Sequence, residues 1–216
     1  MTARKPKVVI VDYGLGNVVS VFRAFDYIGA EPILTEDPTA VTSADRLVLP
    51  GVGAFGDGMA QLRERQLVEP LLEFAQTGKP FLGICLGMQM MFEESTEFGQ
   101  HAGLSLLPGA VIEIPLSAPD GRHVKVPHTG WSEIAPFGAN RFEHPLLSET
   151  PAGSAFYFVH SFMAAPSDMS HCIAAVDYEG ITIPAAISRD NLTGMQFHPE
   201  KSGPMGLDIL RRFLSL

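Results

Sequence analysis

The stretch "FLGICLGMQ", Phe81 to Gln89, sets one of the chain's two cysteines between two glycines, directly after an apolar run. An apolar run that closes on Gly-x-Cys-x-Gly and continues with helical character describes a buried strand turning sharply into a helix. Taken with the strands and helices that alternate before it, that turn implies a parallel sheet covered by helices on both faces, so this segment decides the class of the fold. Three explanations compete for Cys85: a small buried hydrophobe, half of a disulfide, and a nucleophile.

Outward from that turn the first half repeats one pattern. "KVVIV" (7–11) is a β-branched run closed by "DYGLGN", a strand entering a loop. Val18, Val21, Phe22, Phe25 and Ile28 recur at helical spacing, and Gly29 stops that helix. "PILT" (32–35) and "RLVLP" (46–50) are two further strands, a helix follows from Asp57 to Gln76, and "FLGI" is the fourth strand. Helical character resumes from Leu86 to Glu94. The second half changes: "GAVIEIP" (109–115), "GWSEI" (130–134), "SAFYFVHSF" (154–162), "HCIAAVDY" (171–178), "PAAIS" (184–188) and "TGMQFH" (193–198) are short strands broken by Gly and Pro, several of them antiparallel. Leu207 to Leu216 forms a closing amphipathic helix. The expected fold is α/β, three layers deep: a largely parallel central sheet, helices on both faces, added antiparallel strands in the second half, and residues 1–216 as one domain.

The 216 residues, 46% hydrophobic and 18% charged, suffice for a sizeable core. A formal net charge of −9 with scattered acidic residues speaks against nucleic acid as a partner. "MTARKPKVVIVDYG" turns polar too soon for a secretory leader, and no run reaches the length of a membrane span, so a cytoplasmic protein without a membrane partner is expected. In that compartment the sequon at Asn191 has no meaning, and a Cys85–Cys172 disulfide is disfavoured.

A nucleophile needs a base. Among seven histidines, His198 stands out because "GMQFHPEKS" ends an apolar strand with His198-Pro199-Glu200. In an extended segment held by the proline, positions i and i+2 point to one side, which places Glu200 to accept from one imidazole nitrogen and leaves the other for Cys85. The ordinary alternative for this tripeptide is a strand-end turn. "LPGVGAFGDG" follows the third strand, and Gly51 and Gly53 permit a loop around Val52 whose N–H groups face an anion. At "GLGNVV" Val19 stands where a dinucleotide-binding fingerprint needs its third glycine. No phosphate loop and no metal-ligand spacing occurs, so neither a cofactor nor a metal is expected.

"GICLGMQ" together with "QFHPEKS" resembles the class I, triad-type glutamine amidotransferases. "DYGLGNVVSV", "LPGVGAF", "VPHTGW", "YFVHSF" and "GMQFHPEKSGPMGLDIL" narrow the resemblance to the glutaminase subunits of imidazole glycerol phosphate synthase, from about Val8 to Phe213. The resemblance implies hydrolysis of glutamine by a triad of Cys85, His198 and Glu200. It further implies delivery of ammonia to a (β/α)8-barrel cyclase subunit in a heterodimer of histidine biosynthesis. It places Gly51, Val52, Gly53, Leu86, Gln89, Ser161 and Phe162 around the substrate or its oxyanion, and Asn17, Trp131 and Lys201 at the subunit interface or in its coupling. Two positions depart from the family's habit: Ser132 follows Trp131 where Asn is usual, and Phe162 stands where Tyr is common. The alternatives are the glutaminase of another pathway, such as pyridoxal phosphate synthesis, and a stand-alone cysteine hydrolase of the same fold.

Overall fold

The computed structural model of the chain describes residues 5–138, 142–151 and 153–216. The first half runs β1 (Lys7–Val11), α1 (Val18–Tyr27), β2 (Glu31–Thr35), α2 (Pro38–Thr42), β3 (Leu47–Leu49), α3 (Phe55–Glu64), α4 (Val68–Gln76), β4 (Phe81–Ile84) and α5 (Leu86–Met90). Then follow β5 (Phe92–Ser95), β6 (His101–Ala102), β7 (Leu107–Glu113), β8 (His128–Glu133), β9 (Ala135–Pro136), β10 (Ala155–His160) and β11 (Phe162–Pro166). The chain closes with β12 (Cys172–Tyr178), β13 (Ile181–Arg189), β14 (Leu192–Met195) and α6 (Gly203–Phe213).

One sheet of eight strands, in the order β2-β1-β3-β4-β14-β13-β12-β9, forms the middle layer. Its β2 to β14 half is parallel, and β14, β13, β12 and β9 pair antiparallel. Alternation along β1 shows why both faces are covered. Val8 and Ile10 pack with Val21 and Phe25 of α1 and Ile209, Leu210 and Phe213 of α6. Val9 and Val11 pack on the other face with Met59 and Leu62 of α3 and Leu71 and Phe74 of α4. Two smaller sheets complete these layers: β10-β8, whose Phe156 and Phe158 join the first core, and β11-β7-β5-β6, whose Val111 and Ala164 join the second.

Four sequence expectations are corrected. The helix from Asp57 to Gln76 is two helices, because Gln66 sits at φ +56° and the N–H of Leu67 bonds back to the Leu62 carbonyl. This left-handed turn is made without glycine, so no stop signal marked it. The helix from Leu86 to Glu94 ends at Met90, and Phe92–Ser95 becomes β5, drawn into the smaller sheet by pairing with β7 and β6. "SAFYFVHSF" is not one strand: β10 pairs with β8 and β11 with β7, so the chain changes sheets at Ser161. The closing helix begins at Gly203, four residues before Leu207.

Candidate active site

Sheet register brings the site together. Parallel β4 and β14 pair Gly83 with Gly194 and Ile84 with Met195, and the Cys85 N–H donates to the Met195 carbonyl at 2.7 Å. Cys85 and Gln196 therefore leave the sheet side by side at its carboxyl end, with His198 two residues further on. Crevices outside that end are where open α/β sheets bind ligands.

Cys85 has φ +52° and ψ −112°, a conformation that costs a residue with a side chain on the order of 1–3 kcal/mol. Close packing holds it there. A Cβ on Gly87 would lie 1.7 Å from the Leu49 carbonyl oxygen, and one on Gly83 would lie 2.8 Å from the backbone of Met88. The glycine frame thus exists because backbones touch on both sides of the cysteine. Cys85 and Cys172 are both buried free thiols.

His198 Nδ1 and Glu200 Oε1 are 2.8 Å apart, with side chains 2% and 1% exposed. The pair forms as expected, but not on an extended segment: Pro199–Lys201 is a 3-10 turn, closed by the Lys201 N–H on the His198 carbonyl. Ser202 Oγ donates to that carbonyl as well, at 2.7 Å, and accepts from the Tyr157 N–H at 3.0 Å, which fixes the turn to β10. Nε2 of His198 is buried and makes no ordinary hydrogen bond among the described residues. Burial opposes a charge on this imidazole, but the Cys85 sulfur and the Glu200 carboxylate outweigh it and push its pKa up to about 10. The charged form of this imidazole is thereby favoured beside the Cys85 sulfur.

A cavity of about 330 Å³ opens over the cysteine, at the small end of the range for ligand sites. Of the residues expected around a substrate, Val52, Gly53, Leu86, Gln89, Ser161 and Phe162 line it with Cys85. Gly51 serves differently: a Cβ there would meet the Tyr13 hydroxyl at 2.3 Å, so its part is close packing, whereas Gly53 at φ +107° makes the turn. A larger cavity, about 590 Å³, lies along Ser132, Ile134, Phe142 and Asp177, away from the cysteine. Among the described residues no group of three His, Cys, Asp or Glu side chains could hold a metal, and no helix is long and apolar enough to cross a membrane.

Comparison with known proteins follows the same lines. A family described as glutamine amidotransferase class-I matches residues 9–216. The chain belongs to the class I glutamine amidotransferases. Within them it resembles imidazole glycerol phosphate synthase subunit HisH 1 of Legionella pneumophila (strain Paris), 51% identical over 97% of this chain and 99% of that one. HisH subunits of Syntrophotalea carbinolica and Geobacter sulfurreducens are 47% and 43% identical over 95% and 96% of the chain, and over 98% and 97% of their own lengths. Among solved structures, PurLQS from Thermotoga maritima superposes with a TM-score of 0.71 over 98% of both chains at 20% identity, a likeness of fold.

In this amidotransferase several residues of the site escaped sequence reasoning. Glu97 lines the cavity and accepts from the Phe55 N–H at 2.6 Å; burial, foremost, raises its pKa. His160, also on the wall, donates from Nδ1 to the Phe162 carbonyl at 2.8 Å and accepts at Nε2 from His128 Nδ1 at 3.0 Å. Ser132 ends this chain on His128 Nε2 at 2.9 Å. Burial pushes His160 down to about 3 and His128 to about 4, so both stay neutral and the chain of donors runs one way. Inward alternation of Phe156, Phe158 and His160 along β10 was the signal available for His160. Gln196 is fully buried, and its Nε2 lies 3.7 Å from the Cys85 sulfur. The expected interface residues are elsewhere on the surface. Trp131 is 58% exposed and meets Tyr157 edge-on at 6.2 Å, Lys201 Nζ sits 5.9 Å over the same ring, and Asn17 leads into α1, accepting from the Ser20 hydroxyl at 2.7 Å.

Proposed function

We propose that this chain, residues 1–216 acting as one unit, is the glutaminase subunit of a cytoplasmic imidazole glycerol phosphate synthase. It hydrolyses glutamine to glutamate and ammonia and passes the ammonia to a (β/α)8-barrel cyclase held as a heterodimer. The observation that carries this reading is Cys85 on its positive-φ turn, at the wall of a cavity sized for an amino acid, with the His198–Glu200 pair raised in basicity by that same sulfur. Identity of 51% to a HisH subunit over nearly the whole chain supports it over the glutaminase of another pathway or a stand-alone hydrolase.

The chemistry follows from the proton inventory. The Cys85 thiolate adds to the side-chain carbonyl carbon of glutamine, and the oxygen takes up negative charge between the N–H groups of Leu86 and Gly53. His198, charged at Nε2, gives its proton to the amide nitrogen; the carbon–nitrogen bond breaks and ammonia leaves a γ-glutamyl thioester. Neutral His198 then takes a proton from water, the hydroxide adds, and glutamate leaves as the thiolate and imidazolium re-form. Glu200 holds the Nδ1–H and stabilises the cation throughout. Gln89 serves the substrate through its carbonyl oxygen, because its NH₂ is taken by Phe162 and Gln196. Ammonia protonated in open solvent near neutral pH no longer acts as a nucleophile, hence the need for a docked acceptor. Exposed Trp131 and Lys201, both against the half-buried ring of Tyr157 beside the 199–201 turn, offer the docking face nearest the triad.

Replacement of Cys85 with alanine tests the reading. With the cyclase present, Cys85→Ala abolishes glutamine-dependent synthesis, a loss above ~10³-fold, and leaves ammonia-dependent synthesis intact. Retained glutamine-dependent synthesis in this variant overturns the proposal.

A further inference from the structure

Gln196 stands one residue beyond the Ile84–Met195 register pair, and its fully buried amide touches two members of the site at once. Its Oε1 accepts from Gln89 Nε2 at 3.0 Å, and its Nε2 points at the Cys85 sulfur at 3.7 Å. A side-chain amide is symmetric in shape, so what fixes its direction must come from its partners. Here the direction starts at the Phe162 carbonyl, which accepts from both His160 Nδ1 at 2.8 Å and Gln89 Nε2 at 2.9 Å. A carbonyl only accepts, so Gln89 must present its NH₂. Gln196 must then answer with its oxygen, and its own NH₂ is left facing the sulfur. Rotating Gln196 by half a turn would set two NH₂ groups against each other in a buried space, at the full desolvation penalty of both.

We propose that Gln196 is a positioning residue of the glutaminase reaction: it donates an N–H to the Cys85 thiolate and locks Gln89 with its carbonyl oxygen toward the substrate. This rests on the glutaminase reading above. A donor at sulfur favours thiolate over thiol, since a hydrogen bond to an ionised acceptor is about twice as strong as one to a neutral acceptor. Other groups face the same sulfur: His198 backed by Glu200 beyond β14, and Tyr13 beyond β1, while Glu97 and His160 line the cavity beside it.

Two substitutions separate the two contacts. Gln196→Met keeps the length and removes donor and acceptor together. Gln196→Glu keeps an oxygen for Gln89 but replaces the N–H at sulfur with a second carboxylate oxygen. The full chain is treated with iodoacetamide across pH, and alkylation of the Cys85 peptide is followed by mass spectrometry, with neither glutamine nor cyclase present. The midpoint of Cys85 alkylation rises by about one pH unit in Gln196→Met, a tenfold slower reaction below the midpoint, and by more in Gln196→Glu. In glutaminase assays of the complex, Gln196→Glu lowers kcat with KM within about twofold, whereas Gln196→Met raises KM as well. An alkylation profile unchanged in both variants overturns the proposal, as does failure of both to fold, which would make Gln196 a core residue. Because alkylation needs no glutamine turnover, failure of the glutaminase reading shows in Cys85→Ala and not here.

Discussion

Cys85 and Cys172 are both buried and both free, yet they are different chemical groups. Cys172 opens β12 with ordinary extended backbone, donates its S–H to the Ala174 carbonyl at 3.3 Å, and burial pushes its pKa up to about 11. Cys85 is held at φ +52° between two backbone contacts, receives the Gln196 N–H, and shares its environment with a histidine that its own sulfur makes more basic. Burial alone makes a thiol inert; burial with fixed donors and a paired cation favours the thiolate, the basis on which Cys85 is proposed as the nucleophile. The contrast lies in what the backbone turn aims the sulfur at.

The largest expected effects come from stripping Cys85 of its partner. His198→Ala removes the proton carrier and lowers glutamine turnover on the order of 10⁴-fold; Glu200→Gln keeps the shape, loses the charge and costs about 10²-fold. Steady-state assays of the complex measure both, and equal turnover in Glu200→Gln and the parent would reduce the triad to a dyad. Next in size is the turn itself. Gly87→Ala drives a methyl into the Leu49 carbonyl, 1.7 Å away, so the loop and helix must separate. Overpacking of this kind costs about 1–3 kcal/mol, and a protein of this length then melts roughly 2–12 °C lower. Glutamine turnover falls along with the stability; calorimetry with activity assays follows both, and an unchanged melting point would deny the close approach. The smallest effect belongs to the other cysteine: Cys172→Ala leaves turnover within about twofold, since only packing around a small side chain changes.

Much of this contrast was legible in the sequence. Gly-x-Cys-x-Gly after an apolar run marked the turn, and alternation of strand and helix through "FLGI" gave the parallel sheet, because both depend on local pattern. His198 and Glu200 were found for the right pair but by the wrong geometry, since a proline that suits an extended segment equally suits the first position of a 3-10 turn. The change of sheet at Ser161 was hidden because "SAFYFVHSF" is apolar and alternating throughout; only pairing with two different strands divides it. The break at Gln66 had no glycine to announce it. Gln196 and Glu97 were out of reach for another reason: a glutamine in an apolar strand acquires meaning only when the register of a distant strand sets a cysteine beside it.

We propose that one of two buried thiols, Cys85, is poised for the side chain of glutamine. An electrophilic glutamine analogue, a diazo ketone carrying the amino-acid end intact, tests it most directly when incubated with the full chain and its cyclase at neutral pH and mapped by peptide mass spectrometry. A covalent adduct forms on Cys85 alone, slowed by excess glutamine, with Cys172 unmodified. An adduct on Cys172, or a folded protein in which Cys85 stays unlabelled, would contradict it.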